Sequence, residues 1–222
     1  MYPRTDRTTA TRDRGRVSYQ RADAHRILDE AYHCSLAFVV DGLPRVLPTL
    51  HVRIDNTLYL HGSTGSRPLL AARSPDGLPV CVAVTILDGL VYARAQAHHS
   101  ANYRSVVVHG LARLVSDDVD KRRVLDALVD KAAPGRTADS RPPSRRELAE
   151  TAVLAVALDE VSVKSRSGEP NDEDADLALP YWAGVLPLTT VAGPVRTASG
   201  VTTAPPPYLP STTWPNAHRR PG

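Results

Sequence analysis

The sequence predicts a mainly β fold with α additions, built from antiparallel strands as a barrel or a sandwich. Three observations point there. Six apolar, Val- and Leu-rich runs are separated by Asp-Gly, Asp-Asn and Gly/Ser punctuation, the pattern of strands and hairpins. The helical segments between them are few and short. A doubly wound sheet needs a helix after nearly every strand, and those crossovers are missing.

Residues 1–18 are polar and without period, and read as a flexible or loosely docked basic arm carrying Arg4, Arg7, Arg12, Arg14 and Arg16. Residues 19–33 read as a helix, because Ala24, Ile27, Leu28 and Ala31 recur at i, i+3, i+4 and i+7 and form one apolar face. Strand runs follow at 35–40, ended by Asp41-Gly42, at 45–54, ended by Asp55-Asn56, and at 57–61, which runs into a Gly/Ser loop. Pro48 inside the second run marks an edge or a bulge. With Asp55-Asn56 as a two-residue turn, Leu50 lies opposite His61, and His51 and His61 fall on opposite sheet faces. A short helix begins near Arg67 or Pro68. Further strands are expected at 79–87, ended by Asp88-Gly89, at 104–115 and at 152–165. Between the last two, residues 117–132 read as a helix with acidic residues in its first turn and Pro134-Gly135 as its stop. Ser144 and Glu147 have capping-box spacing at the head of a helix over 144–150. From 189 to 222 the chain is Pro-, Thr-, Ala- and Ser-rich, the composition of a disordered tail. The domain expected between arm and tail spans 19–188.

Composition narrows the function classes. The chain has 222 residues, of which 42% are hydrophobic, and two cysteines. That suits one ordinary domain and excludes a disulfide-stapled miniprotein. No apolar run reaches the roughly 18 residues needed to cross a bilayer. The N-terminus lacks the apolar stretch of a secretory signal, so the chain reads as soluble and cytoplasmic, with no membrane partner. Its net charge is only +3, and the basic residues are not gathered on one element, so no nucleic-acid footprint is expected. Cys34 and Cys81 sit in apolar runs and read as small buried hydrophobes.

Two segments could carry chemistry. In Leu58-Tyr-Leu-His-Gly-Ser-Thr-Gly-Ser-Arg-Pro68 a strand ends at His61, and a loop of small residues leads to Arg67 and a helix. Gly62 and Gly65 allow close backbone approach, Ser63, Thr64 and Ser66 offer hydroxyls, and Arg67 offers a bidentate cation, which together suit a phosphate. The loop is neither a P-loop nor a dinucleotide fingerprint, and an ordinary Gly/Ser turn is the plain alternative. In the second segment, His98 to Ser105, Tyr103, Arg104 and Ser105 stand at the start of a buried strand, where they could reach a ligand edge. The adjacent His98 and His99 diverge in direction and no H-E-x-x-H or C-x-x-C accompanies them, so no metal site is expected. His61, beside the loop, is better placed for chemistry than His25, His33 or His51.

The order of these segments resembles the pyridoxamine 5′-phosphate oxidase-like flavin-binding proteins, in particular the flavin-nucleotide-binding branch that includes nitroimidazole-resistance reductases. The residues that carry the resemblance are Ile27-Leu-Asp-Glu-Ala31, Leu47-Pro-Thr49, Leu58-Tyr-Leu-His-Gly-Ser63, Ser66-Arg67, Val84-Thr-Ile-Leu-Asp-Gly-Leu90, Asn102-Tyr-Arg-Ser-Val-Val-Val108 and Leu179-Pro-Tyr-Trp-Ala-Gly184. They run in order from about residue 15 to 188.

The resemblance implies a six-stranded antiparallel split β-barrel that forms a homodimer and binds FMN at the subunit interface. It implies that His61, Gly62, Ser63, Ser66 and Arg67 hold the phosphate side. Leu47, Pro48 and Thr49 would lie along the isoalloxazine ring, Tyr103, Arg104 and Ser105 would close the site, and Trp182 would cover the ring or the partner. It further implies an FMN-dependent oxidoreductase of nitro or other electron-poor small molecules, with His61 as the catalytic candidate that polarises substrate or flavin. A non-catalytic flavin-binding protein and a split barrel using haem or a deazaflavin are the alternatives. The vitamin B6 oxidases carry an Arg-x-His-Asp-Arg cluster after their tryptophan. Here only Arg196, Arg219 and Arg220 follow Trp182, which speaks against pyridoxamine-phosphate oxidase activity. Pro68 stands where many relatives have a longer or basic side chain.

Overall fold

The computed structural model describes residues 1–209. Among these, nine strands form one antiparallel sheet: β1 (Val17–Ser18), β2 (His33–Val40), β3 (Leu43–Ile54), β4 (Thr57–Ser63), β5 (Leu78–Tyr92), β6 (Ser100–Leu114), β7 (Thr151–Ala157), β8 (Glu160–Arg166) and β9 (Gly184–Pro187). The helices are α1 (Arg21–Glu30), α2 (Arg67–Ala71), α3 (Asp118–Ala132) and α4 (Arg145–Glu150).

Six of the strands close a ring in the order β2-β3-β4-β7-β6-β5, because β5 and β6 pair as well as the neighbours in the sheet. This is the expected six-stranded barrel. It is uneven: β5 and β6 pair along most of their 15-residue lengths, whereas β6 meets β7 only at Arg113↔Ala155 and Leu114↔Leu154. The first part of β6 pairs with β8 instead, and β8 in turn carries β1. The far end of β5 carries β9. Gly110 marks where β6 bends toward β7, since a Cβ there would stand 2.9 Å from a Val156 methyl carbon.

The interior is aliphatic. Leu36, Phe38, Leu58, Leu60, Val82, Val84, Val106, Val108, Leu154 and Val163 fill it, and Ala24, Ile27 and Leu28 of α1 plug one end. Each strand contributes every second residue, as the pleat requires. α1 is shorter at both ends than the 19–33 segment expected, because Tyr19 is buried with its hydroxyl donating to Thr8 O and His33 already begins β2. α4 opens with the expected capping box between Ser144 and Glu147.

Several expectations need correction. The 152–165 run is two strands, turned at Leu158-Asp159. Asp88-Gly89 does not end a strand. It sits in a bulge in the middle of β5, where the register against β6 shifts between Leu87 and Gly89. Strands β1 and β9 were not anticipated. The arm over 1–18 is docked: Tyr2 is buried, its N–H donates to Tyr19 O at 2.7 Å, and Arg7 and Thr5 both engage Glu160. The expected tail over 189–222 lies partly outside the described residues, and residues 189–209 contain no helix or strand.

Candidate functional site

Register assigns the predicted site residues to faces. On β2, Cys34, Leu36 and Phe38 point inward, so Ser35, Ala37 and Val39 point out. Pro48, Ser35, Ala83 and Val107 stand opposite one another in turn across β3, β2, β5 and β6, and therefore share the outer face. Tyr103 and Ser105 share it by alternation along β6. This outer face is apolar and open: Val46 is 61% exposed, and Val39, Leu50, Leu87 and Leu111 are also exposed.

Leu47, Pro48 and Thr49 are therefore not a single surface. Pro48 points out, while Leu47 and Thr49 are on the face of Cys34 and Leu36. What the three share is a backbone edge. β3 pairs with β2 along 43–50 but with β4 only from His51 to Ile54. Among the described residues, the other edge of 43–50 carries no strand, so its peptide groups are available to a ring-edge ligand.

His61 stands opposite Val153 on β7, on the outer face beside Tyr59. One step along the sheet, Val52 and Val153 are buried by Val124, Leu125 and Leu128 of α3. His61 thus lies between the helix-covered part of the outer face and the open part. It is half-buried, burial lowers its pKa, and its Nδ1 is buried without a hydrogen-bond partner. A neutral imidazole with a free ring nitrogen suits either polarising a substrate or ligating a metal in a porphyrin.

The loop after His61 is tied down from within. Ser66 N–H donates to Ser63 O at 2.9 Å, and Thr64 N–H donates to Glu150 O at 3.1 Å. A Cβ on Gly62 would stand 3.3 Å from Leu69 Cδ1, so the missing side chain lets α2 pack close to β4. Arg67 is exposed and makes no ion pair among the described residues. Its guanidinium is available to a phosphate, which fits the expected clamp. α2 spans only Arg67–Ala71, so it adds little dipole.

Arg104 is placed differently. It points inward, opposite Ile86, and is held by two carboxylates: Nε and Nη2 donate to Asp88 at 2.8 and 2.7 Å, and the guanidinium also engages Glu30. These partners raise its pKa well above the usual arginine value. The cluster joins the end of α1, the β5 bulge and β6 rather than presenting a donor to a ligand. Ser105 Oγ donates to Lys164 O at 3.1 Å. Trp182 is 71% exposed and lies by the β5–β9 edge, its ring 5.9 Å from that of Tyr92, which in turn meets His99 edge-on. Glu30 and Asp88 were not singled out from sequence. The available signal was Glu30 itself, an acidic residue three positions after Ile27 on the apolar stripe of α1, where a buried carboxylate needs a cation.

Comparison with known proteins bears on the family and the fold. The family model described as pyridoxamine 5′-phosphate oxidase matches residues 20–165. The solved structure of the FAD and haem binding protein from Mycobacterium smegmatis is 41% identical, covering 89% of this chain and 97% of that one, with a TM-score of 0.84. A flavocytochrome from Azotobacter vinelandii is 34% identical, covering 91% of this chain and 94% of that one, also with a TM-score of 0.84. A structure described as a 5-nitroimidazole antibiotic resistance protein from Bacteroides thetaiotaomicron shares the fold, with 21% identity, 67% and 85% coverage and a TM-score of 0.55. No curated protein sequence matches. With two thirds of its length matched by one family model, and with a split barrel shared end to end with relatives at 41% and 34% identity, the chain belongs to the pyridoxamine 5′-phosphate oxidase-like family.

Proposed function

We propose that this protein is a flavin- and haem-binding redox protein. The observation that carries the reading is its near end-to-end likeness to two relatives whose names join a flavin to a haem. The expected FMN gives way here to FAD, because the relative at 41% identity is an FAD and haem binding protein. Reduction of nitro compounds would rest on a likeness at 21% identity, which carries the fold alone, so the reading stops at electron transfer.

The chain's own residues support it. Arg67, exposed and without an ion pair among the described residues, would bind a flavin phosphate, with Ser63 and Ser66 beside it. The open edge of β3 over 43–50 would orient the ring system through peptide N–H and C=O groups. His61 stays neutral at physiological pH, because burial disfavours its charged form, and it keeps a ring nitrogen for an iron or a substrate. When bound, a flavin accepts and donates electrons, and a haem relays them one at a time. The open apolar face around Val46 and Leu50 would pair with a second copy of the chain, shielding the site from water.

The test is a visible spectrum of the purified protein with chromatography of the released flavin. Flavin bands with a Soret band, and FAD in the extract, are expected. FMN in the extract, or no Soret band after haem is added, would reverse the corresponding half of the reading. Arg67→Ala should weaken flavin binding by about 1.5–3 kcal/mol, the scale of a hydrogen bond to a charged group, in a fluorescence titration.

A further inference from the structure

A cavity with polar walls lies behind the loop. A cavity of about 180 Å³ opens between α2, the start of α3 and the start of β7, lined among others by Thr64, Arg73, Ser116, Lys121 and Thr151. Lys121 is the unusual member. It is 8% exposed, and its ammonium has one hydrogen-bond partner, the Leu148 carbonyl at the end of α4. No carboxylate pairs with it among the described residues. The three acidic residues at the head of α3 do not line the cavity. Asp117 accepts from Asp120 N–H, Asp120 faces Arg123 at 3.5 Å, and Asp118 is exposed.

Lys131, half-buried further along the same helix, shows a better-satisfied ammonium. It donates to Leu28 O at 2.8 Å and to His51 O at 3.1 Å. Lys121 has donors to spare beside this half-open space, and a buried cation left short of acceptors is costly. Arg73 adds a second cation that is exposed and unpaired among the described residues. Thr64 and Ser116 supply hydroxyl donors around the same space, while the Thr151 hydroxyl donates to Glu147 O at 2.8 Å. Two cations and two donor hydroxyls, on a wall otherwise lined by Leu69, Leu114, Val115 and Ala152, suit one tetrahedral oxyanion.

We propose that this cavity binds phosphate, either as the free ion or as the head of a small phosphate monoester. The site is separate from the flavin clamp: Arg67 does not line it, and Thr64 is the one loop residue it uses. Binding there would draw on both ends of a joint made by the loop after β4, α3 and α4.

Isothermal titration of inorganic phosphate, with ribose 5-phosphate in parallel, tests the assignment on the full chain. Saturable binding is expected. Arg73→Ala and Lys121→Met should each weaken it by about tenfold or more, the scale of a lost charged hydrogen bond. Arg67→Ala should leave it within about twofold, since additivity holds for groups that share no partner. Tighter binding of the ester than of the free ion would assign a monoester, and the reverse would assign phosphate itself. No saturable heat with either probe overturns the proposal. So does loss of binding in Arg67→Ala, which would place the anion on the flavin loop. Should Lys121→Met fail to fold, Arg73→Ala decides, because Arg73 is exposed: unchanged affinity in that variant also overturns the site.

Discussion

The outer face of the barrel is apolar on both its halves, yet only one half is covered. Over β3, β4 and β7 the outward residues Val52 and Val153 are sealed by Val124 on α3. Over β2, β5 and the first part of β3 the outward residues Val46, Leu50 and Leu87 stand open. The strands on the two halves obey the same alternation, so strand pattern alone does not distinguish them. The difference is the 15-residue amphipathic helix that returns over one half and has no counterpart on the other. His61 lies on the boundary between the covered and the open half.

The largest way to break the comparison lies beneath the open half. If Arg104 holds that region together, Arg104→Met should destabilise the fold by about 3 kcal/mol, because Glu30 and Asp88 lose the cation between them. Urea denaturation measures it. Arg67, at the same chain's candidate clamp, should change stability by less than about 0.5 kcal/mol when removed. Equal effects from the two arginines would show that Arg104 is not the structural one.

The covered half carries a pH signature. His51 is fully buried, its Nε2–H donates to Leu28 O at 2.9 Å, and burial together with the nearby Lys131 ammonium pushes its pKa down to about 4. The ordinary value is 6.5, so the unfolded chain binds more protons between those limits. Stability should therefore fall as pH drops from about 6.5 to about 4, by up to roughly 3 kcal/mol. His51→Gln should flatten that slope, and an unchanged slope would place the titrating group elsewhere. Lys131 runs on the alkaline side. Burial lowers its pKa to about 8 from 10.5, so its contribution rises with pH across that interval.

How much of this was legible in the sequence depended on whether the cause was local. Asp41-Gly42 makes the tight hairpin it suggests, with φ of 55° and 72° at its two residues, the conformation such a turn demands. Asp88-Gly89 offers the same letters and makes a bulge. At Gly89 a Cβ would stand 3.0 Å from Leu186 O, so the glycine serves β9, nearly 100 residues away, and no local rule reports that. Likewise β1 is two residues long and exists only through its pairing with β8. The loop from His61 to Arg67 was legible because its composition and its neighbours in sequence define it. Arg104 was misjudged because a donor at a strand start says nothing of which face it takes. Alternation from the buried Val106 and Val108 would have turned it inward, toward the acidic residue misplaced on the stripe of α1.

Smaller effects should separate the two halves most cleanly. Val153→Ala removes two methyl groups' worth of contact from a site with no exposure, and should cost about 2 kcal/mol by denaturation once the remaining cavity is included. Val46→Lys places a charge on the open half at a position 61% exposed, and should leave the unfolding free energy of the isolated chain within about 0.5 kcal/mol. Its effect belongs to association instead. Buried in a contact between two copies, an unpaired ammonium loses its hydration, so sedimentation should show a lighter species than the wild type at the same concentration. A wild type that sediments as a monomer, or a Val46→Lys chain that sediments like a dimeric wild type, would show that the open half is not where two copies meet.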